Sequence, residues 1–323
     1  MPKLKRHGVK GNLLSWLANY LTNRKQRTVV RGAMSKSLPV ISGVPQGSLL
    51  GPLVVYTNDL QTTVASNCSL LLYVDDTKRY KTIITVDDSK KFQEGFDLLY
   101  RRSRYWCLNV NIKKCDCVHI TRKRDPTNHV FYLGDNNLGT SDSQKDLGLL
   151  ISSTAQWSKH SSKAINKAYS MLGLLKRNCS NEYFSVRARR LLYLALVRSH
   201  VDYASEAWSG QSMTIRTTVE RVQRRATNFI IGILSCTVPY KERLLQINLV
   251  PLTCWHKIKE LLFIHGCLNG KYNINIHSFV KLAPESNLRN SCPNNFTIPR
   301  CRTKHFQQSF FIRSCRLWNS LPK

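Results

Sequence analysis

Two adjacent aspartates, Asp75 and Asp76, lie in the segment that most restricts how this chain can fold. The sequence around them, CSLLLYVDDTKRYKTI at residues 68–83, has two apolar runs on either side of a polar centre. This pattern predicts a β-hairpin with the two carboxylates at its tip. Neighbouring carboxylates repel each other, and the pKa of one of them rises unless a cation lies beside the pair.

Two sources of that cation are open. In the simpler one, Lys78, Arg79 and Lys81 neutralise the pair at the protein surface. In the other, the carboxylates hold Mg²⁺, which prefers oxygen ligands and serves in pairs for in-line phosphoryl displacement. The apolar run LLLYV, which would hold the tip rigidly, favours the metal. So does the loop GVPQGSLLGPL about thirty residues upstream, which carries Gln46 between Pro45 and Gly47.

The charge of the chain also favours a phosphate-bearing partner. Lys and Arg number 49 against 19 Asp and Glu, a net charge of +30 over 323 residues. Residues 1–150 carry +11 and residues 151–323 carry +19, and the acids of the second part stand alone in the sequence. No run reaches the roughly 18 apolar residues of a membrane span. We therefore expect nucleic acid as the polyanionic partner, with an anionic membrane surface as the second choice.

The order of periodic segments predicts an α+β protein in two parts. An amphipathic helix at the N-terminus, two strands across residues 24–42 with a turn at Gly32–Ser35, and a helix over 89–107 suggest an antiparallel sheet with helices on one face. The buried stripe of the last helix is marked by Phe92, Phe96, Leu99 and Trp106. Residues 151–323 are predicted to be mainly helical, and the boundary is placed near 140–155. The expected helices are 158–176, 183–201, 215–233, 240–247 and 252–268. In the helix over 215–233, one face is apolar and the opposite face carries Arg221, Arg224 and Arg225.

The eleven cysteines do not form a recognisable disulfide framework. Their number is odd, the sequence has no secretory signal, and the chain is long enough to fold without crosslinks. No CxxC pair occurs, which disfavours zinc. We expect reduced thiols in the nucleus or cytoplasm rather than a secreted protein.

Four motifs, in order and spacing, resemble those of reverse transcriptases (RNA-directed DNA polymerases) of non-LTR, LINE-type, Jockey-like retrotransposons. The first is similar to the motif B loop of that family, the second to its Tyr-X-Asp-Asp motif C, the third to its Asn-X-X-Lys signature and the fourth to its primer-grip hairpin. They are SGVPQGSLLGPL (42–53), YVDDTKRY (73–80), LNVNIKKC (108–115) and QKDLGLLI (144–151). Segments of the second half, such as VDYASEAW and ERVQRRATNFI, resemble the region after the polymerase in such elements.

The resemblance implies a partial polymerase palm over residues 1–150, with motifs B to E, and a thumb-like helical region over 151–323. It implies that Asp75 and Asp76 ligate Mg²⁺ and that Lys114 acts on the leaving pyrophosphate, although Lys114 can equally be a solvated lysine. The implied partners are an RNA template, a DNA primer or duplex, and dNTP. The residues implied to contact substrate, template or primer are Pro45, Gln46, Gly47, Tyr73, Leu147 and Gly148, and those implied to contact the nucleic-acid backbone are Arg221, Arg224 and Arg225.

The sequence also departs from the family pattern. The family has a third catalytic carboxylate on a strand upstream of the first helix, and no acid precedes Asp59 in this chain. The segment GPLVVYTNDL is about two residues shorter than usual. We therefore expect an N-terminally truncated copy that does not polymerise DNA. A basic RNA- or DNA-binding protein without catalysis is the alternative function.

Overall fold

The computed structural model describes residues 2–41, 68–73, 76–105, 110–123, 129–179, 183–210, 212–232, 238–283 and 295–322. The chain divides into two units. Unit 1 comprises residues 1–117 and 125–140, and unit 2 comprises residues 118–124 and 141–323. Each unit has its own apolar core.

Unit 1 begins with two helices, α1 (Pro2–Arg6) and α2 (Gly11–Leu21). Leu17 is the buried side chain of α2, and Trp16 stacks on Tyr20 one turn later. The expected amphipathic helix at the N-terminus is therefore present.

A hairpin of four short strands follows. Its strands are β1 (Lys25–Gln26), β2 (Val29–Val30), β3 (Ala33–Met34) and β4 (Leu38–Pro39). β1 pairs with β4 and β2 pairs with β3, both antiparallel. The chain reverses at Arg31 and Gly32, which both have positive φ, as a tight type I′ turn requires. The reversal therefore comes slightly earlier than the Gly32–Ser35 turn that the sequence suggests.

The second hairpin of unit 1 carries the aspartate segment. Strands β5 (Ser69–Tyr73) and β6 (Asp76–Tyr80) pair antiparallel over their whole length, and helix α3 (Val86–Tyr105) follows. A 3₁₀ turn at Ile112–Lys114 leads into β7 (Asp116–Cys117). The remaining strands are β8 (Tyr132–Leu133), β9 (Asn136–Asn137) and β10 (Gly139–Thr140).

Helix α3 begins with a reciprocal cap. The Thr85 hydroxyl accepts a hydrogen bond from the Asp88 backbone N–H, and the Asp88 carboxylate accepts bonds from the backbone N–H groups of Thr85 and Ile84. These backbone bonds hold the pKa of Asp88 far below its usual range. The capping fixes where the helix starts relative to the hairpin before it.

Aromatic side chains form the core of unit 1. Phe92 on α3 meets Phe131 edge to face, with ring centroids 5.2 Å apart, and Leu133 and Leu138 complete the buried cluster. Gln93 exchanges two hydrogen bonds with the backbone of Tyr132, which fixes β8 to α3. Phe96, expected on the buried stripe of this helix, packs against the same cluster.

Unit 2 begins with one hairpin, β11 (Ser143–Asp146) and β12 (Leu149–Ser152), and is otherwise mainly helical. Helix α4 (Ser158–Asn178) is followed by a continuous helical stretch of α5 (Val186–Leu192), a π segment (Tyr193–Arg198) and α6 (Ser199–Asp202). The next helices are α7 (Ser205–Trp208), α8 (Met213–Ile231), α9 (Tyr240–Gln246) and α10 (Leu252–Leu268).

The C-terminal part of unit 2 has shorter elements. A 3₁₀ turn at Ile276–Ser278 precedes β13 (Lys281–Leu282), which pairs antiparallel with β14 (Phe296–Thr297). Helices α11 (Lys304–Gln307) and α12 (Phe310–Asn319) complete the unit. The segment at residues 118–123 joins unit 2 through hydrogen bonds of Thr121 to Ser153 and of Arg122 to Thr154.

Unit 2 has two apolar clusters. The larger one lies among α4, the α5–α6 stretch and α8, and it includes Tyr193, Trp208 and Ile230, all fully buried. The smaller one joins α10, β14 and α12 through Ile264, Phe296 and Cys315. Burial raises the pKa of the Cys315 thiol to about 11.

The chain is thus a mixed helix and strand protein, compatible with the α+β class that the sequence indicates. The expected single antiparallel sheet is not seen in the described ranges. The strands of the described residues pair two by two, and the β7–β10 pair is parallel. Many of these strands have two residues, and those of the first hairpin are exposed on both faces, so they provide no apolar surface for a larger sheet. Among the described helices, none is both long and apolar enough to span a bilayer.

Candidate functional site

The aspartate hairpin closes through a two-residue connection. Tyr73, the last residue of β5, pairs with Asp76, the first residue of β6, so residues 74 and 75 link the strands. Tyr73 and Asp76 are both exposed. The hairpin expected over residues 68–83 is therefore confirmed. Asp75 lies outside the described residues, as does the Gly/Pro loop with Pro45, Gln46 and Gly47.

Arg79 attaches this hairpin to helix α3. Its guanidinium lies over the rings of Phe96 and Phe92, at 4.6 and 5.0 Å from their centroids. It also donates to the Cys68 thiol and to the Phe92 carbonyl. A Cβ at Gly95 would lie 1.9 Å from its Nη2 atom, so the missing side chain of that glycine lets Arg79 lie flat on the helix. This anchor was not expected from the sequence.

Arg79 and Lys81 therefore have partners other than the aspartate pair. Lys81 forms an ion pair with Asp88, at 3.3 Å. Because Asp75 lies outside the described residues, the interpretation in which Lys78, Arg79 and Lys81 neutralise Asp75 and Asp76 stays a prediction. The spacing of charged residues along a strand does not show whether a basic side chain contacts nearby acids or packs on a helix.

The donor atoms at this hairpin suit Mg²⁺ but are few. Asp76 presents an exposed carboxylate, and Asp75 would add a second one. In the part of the chain that the structure describes, three or more acidic, histidine or cysteine side chains nowhere gather into a metal-binding group. The fit rests on the chemistry of these oxygen donors.

Lys114 lies at the end of the 3₁₀ turn Ile112–Lys114. Its backbone N–H donates to the Asn111 carbonyl, and its side chain is exposed. The Asn-X-X-Lys signature thus forms one tight turn. An exposed ammonium can meet a phosphate or remain in water, so both interpretations of Lys114 stay open.

The β11–β12 hairpin, implied by the resemblance over residues 144–151, turns at Leu147 and Gly148. Their φ angles are +45° and +89°, the backbone of a type I′ turn. The left-handed conformation costs a leucine about 1–2 kcal/mol, so other contacts must hold it. Tyr203 supplies one: its hydroxyl donates to the Leu147 carbonyl at 2.5 Å, and its ring lies 3.2 Å from where a Cβ of residue 148 would be.

His160 holds the same hairpin from the side of α4. Its Nδ1 atom accepts a hydrogen bond from the Leu150 backbone N–H, at 3.2 Å. Burial lowers the pKa of His160, and the charge of Lys163 lowers it further. A neutral imidazole is needed here because Nδ1 must act as the acceptor.

Helix α8 presents its arginines to solvent. Arg221, Arg224 and Arg225 are exposed, whereas the neighbouring residues Val222 and Ala226 are fully buried. Arg224 lies over the ring of Tyr240 and Arg225 over the ring of Tyr169, at 4.8 and 5.0 Å from the centroids. These ring contacts orient the two guanidinium groups, and neither forms an ion pair with an acid in the described ranges. We call Arg221, Arg224 and Arg225 the α8 basic face.

The acids of unit 2 are gathered by the fold, although they stand alone in the sequence. Asp202 accepts hydrogen bonds from Arg198 at 2.9 Å, from Trp255 at 3.1 Å and from His256 at 3.0 Å. Burial raises its pKa, but His256 and the charges of Arg198 and Lys259 outweigh burial, so the net pKa is lowered. Asp202 is therefore ionised and used inside the unit.

Two glutamates are used in the same way. Glu260 pairs with Arg313 at 3.0 Å and accepts a bond from Ser314. Glu220 accepts from the backbone N–H groups of Leu252 and Thr253 and so caps α10. Because the carboxylates of Asp202, Glu260 and Glu220 are bonded to groups inside unit 2, they do little to neutralise the basic side chains on its surface.

Comparison with known proteins relates the first part of the chain to one family. The profile described as "Reverse transcriptase (RNA-dependent DNA polymerase)" matches residues 1–148. These residues are therefore similar to reverse transcriptases.

Three relatives from Drosophila melanogaster indicate which kind of reverse transcriptase the chain resembles. The chain is 25% identical over 232 residues to "Probable RNA-directed DNA polymerase from transposon X-element", covering 67% of this chain and 24% of the relative. It is 25% identical over 225 residues to "Probable RNA-directed DNA polymerase from transposon BS", covering 66% and 25%. To "RNA-directed DNA polymerase from mobile element jockey" it is 31% identical over 108 residues, covering 30% and 12%.

These similarities confirm the resemblance to LINE-type, Jockey-like, non-LTR members of the family. The chain spans about a quarter of the length of the first two relatives. No solved structure matches it.

Proposed function

We propose that this chain supplies the motif C part of a reverse transcriptase palm and a thumb-like helical region that holds an RNA–DNA duplex. The single observation that carries the proposal is the tight aspartate hairpin, in which Tyr73 pairs with Asp76, within the segment that matches the family. In this proposal Asp75 and Asp76 bind Mg²⁺, and Pro45, Gln46 and Gly47 contact the nucleotide and template.

Two further features support these roles. Arg79 fastens β6, the strand that begins with Asp76, to α3. The β11–β12 hairpin presents Leu147 and Gly148 in a strained turn that suits contact with a primer end. Strained backbone is typical of functional positions. Mg²⁺, when bound, would stabilise the charge that develops during nucleotidyl transfer. The side chains of this chain would orient the primer and template.

For catalysis, we expect this chain alone not to extend a primer. Each Mg²⁺ ion takes about six oxygen ligands, so the two carboxylates of Asp75 and Asp76 cannot by themselves surround two ions. The decisive assay is primer extension on an RNA template with Mg²⁺ and then Mn²⁺, comparing the chain with Asp75→Asn and with Asp87→Asn. Asp87 is an exposed acid at the start of α3 and serves as the control. Robust extension that only Asp75→Asn abolishes would show that a further carboxylate completes the site.

Binding without catalysis is the second candidate function, and the α8 basic face favours it. Three exposed arginines on one helix, two of them oriented by aromatic rings, suit contacts with phosphates that carry no sequence information. Such binding weakens as salt rises, with log K falling by about 0.9 per log unit of salt for each duplex phosphate contacted.

Fluorescence anisotropy with RNA–DNA duplex from low to physiological salt tests this binding. Replacing Arg224 and Arg225 together by alanine is expected to weaken binding and reduce the salt slope by about 0.9 for each lost contact. The matched control replaces Arg300 and Arg302, two exposed arginines elsewhere in unit 2. A flat salt response, or equal effects of the two double variants, would contradict a role for the α8 basic face.

A further inference from the structure

A cavity of about 240 Å³ lies among α8, α10 and α12 in unit 2, and its lining is strongly cationic. Arg216, Lys257, Arg313 and Arg316 line it, with Glu260 as the acid. Counting only its Lys, Arg and Glu side chains, the lining carries a net charge of +3. The roles described above for the α8 basic face and the two hairpins do not use this cavity.

The floor of the cavity is rigid and nearly neutral. Arg313 donates to the Glu260 carboxylate with both Nε and Nη2, at 3.1 and 3.0 Å, and to the Gln308 carbonyl at 2.9 Å. It also donates to the carbonyl of Glu206. A Cβ at Gly210 would lie 2.0 Å from the Arg313 Nε, so a glycine is needed for Arg313 to enter. Arg313 therefore stabilises the floor of the cavity, and Glu260 neutralises its charge.

The other three cations have no acid partner among the residues that the structure describes. Arg216 donates to the Gly210 carbonyl at 3.1 Å, and Arg316 lies 3.6 Å from the Cys301 sulfur. Lys257 is exposed on α10. Cations that line a concave surface without opposing charge raise the local concentration of anions. They also retain donors that can meet oxygen atoms.

The charge and size of the cavity select the ligand. A divalent cation would be repelled by the net positive lining, and an apolar ligand would have to desolvate three charges. A carboxylate brings one negative charge against three unopposed positive ones. A phosphate monoester brings about two and has the oxygen geometry that guanidinium groups match. The volume is below the 300–1,000 Å³ or so of typical small-molecule sites, which suits a phosphate group rather than a whole nucleotide.

We propose that this cavity binds a phosphate group that carries about two negative charges, with Arg216, Lys257 and Arg316 as its ligands. The group can be the phosphorylated end of a nucleic-acid strand or free inorganic phosphate, and the chemistry of recognition is the same. The α8 basic face would contact phosphodiesters along a duplex, whereas this cavity takes a terminal group.

The test compares short RNA and DNA strands that differ only in a terminal phosphate, together with calorimetric titration of inorganic phosphate. The full chain is compared with the double variant Lys257→Gln and Arg316→Gln and with the control Lys176→Gln and Arg177→Gln. Both pairs are exposed, so each variant loses the same surface charge, and thermal melts check that both fold. Arg216→Lys adds a conservative change that keeps the charge and loses the planar fork.

A preference of about tenfold for the phosphorylated end, lost in the cavity variant and kept in the control, assigns the strand end. Phosphate binding that the cavity variant loses, without any preference between strand ends, assigns the free anion. Absence of both, or a preference that the cavity variant leaves unchanged, overturns the proposal. The double substitution of Arg224 and Arg225 is expected to weaken all strands equally, so failure of the duplex-binding proposal is distinguishable.

Discussion

The hydroxyl of Tyr203 donates a hydrogen bond to the carbonyl oxygen of Leu147, and the two residues are 56 positions apart in the chain. Leu147 has the left-handed backbone of a tight turn, and Tyr203 follows the last turn of α6. The hairpin that resembles a primer grip is thus held in place by the helical part of unit 2. Its turn geometry depends on a helix that follows it in the sequence.

Replacing Tyr203 by phenylalanine is expected to loosen this hairpin while leaving the helices intact. A neutral hydrogen bond contributes about 1 kcal/mol, and that loss in the free energy of unfolding is expected. Hydrogen exchange should accelerate at the backbone amides of residues 147–150. Tyr183→Phe, at an exposed tyrosine, is the control. Unchanged exchange at the turn in Tyr203→Phe would show that ring packing alone holds the hairpin.

Acidification is expected to weaken unit 2 through His160. Because burial lowers its pKa in the folded state, the unfolded chain takes up a proton first as the pH falls. The stabilisation is therefore complete above about pH 6.5, the ordinary pKa of histidine, and is lost progressively below it. Chemical denaturation at pH 7.5, 6.5 and 5.5 measures this, and His160→Gln should flatten the profile. His7→Gln, at an exposed site, should leave it unchanged.

Removing the charge of Glu260 is expected to destabilise the protein strongly. Arg313 and Glu260 are both largely buried, with side-chain exposures of 10% and 6%, and the guanidinium would stay behind without its anion. Breaking such a pair from one side costs about 3–5 kcal/mol. Urea denaturation of Glu260→Gln measures the loss, with the exposed Glu242→Gln as the matched control. Equal midpoints for both variants would mean that the pair contributes nothing.

Two helical glycines are expected to respond oppositely to alanine. Gly173 on α4 has an ordinary contact for a new Cβ, 3.6 Å from Arg177, so Gly173→Ala should gain about 0.5–1 kcal/mol of helix stability. Gly95 on α3 has Arg79 against it, so Gly95→Ala must push that guanidinium off Phe92 and Phe96. Thermal melts of both variants decide it. Equal stabilisation by the two alanines would show that the Arg79 contact is dispensable.

Local patterns gave the elements whose causes are local. The aspartate hairpin and the five main helices of residues 151–268 follow from side-chain periodicity, whereas the hairpin at 144–151 was implied by the family resemblance of its motif. Helix α10, expected over 252–268, has those bounds. Periodicity succeeds here because each helix buries one apolar stripe, and the position of that stripe is written in consecutive residues.

Contacts between distant residues could not be predicted in this way. Three such contacts each depend on how helices and hairpins pack. They are the contacts of Tyr203 with Leu147, of Arg79 with Phe96 and of Glu260 with Arg313. The glycines are the one feature of the sequence that weakly indicates such contacts, because Gly95 and Gly210 each leave room for the guanidinium of an arginine. Arg221, Arg224 and Arg225 were recognisable, since exposure on a helix follows from the same periodicity that buries Val222.

The π segment at Tyr193–Arg198 has a consequence for the whole of unit 2. A π turn accommodates an extra residue within a helix, and one residue corresponds to a rotation of about 100°. Arg189 before the segment bonds to the Phe229 carbonyl, and Asp202 after it gathers Arg198 and His256. Deleting one residue between Arg189 and Arg198 would turn Asp202 away from Trp255 and His256 on α10, whatever side chain were removed. At this point the number of residues, more than their identity, keeps the two halves of the helical stretch in phase.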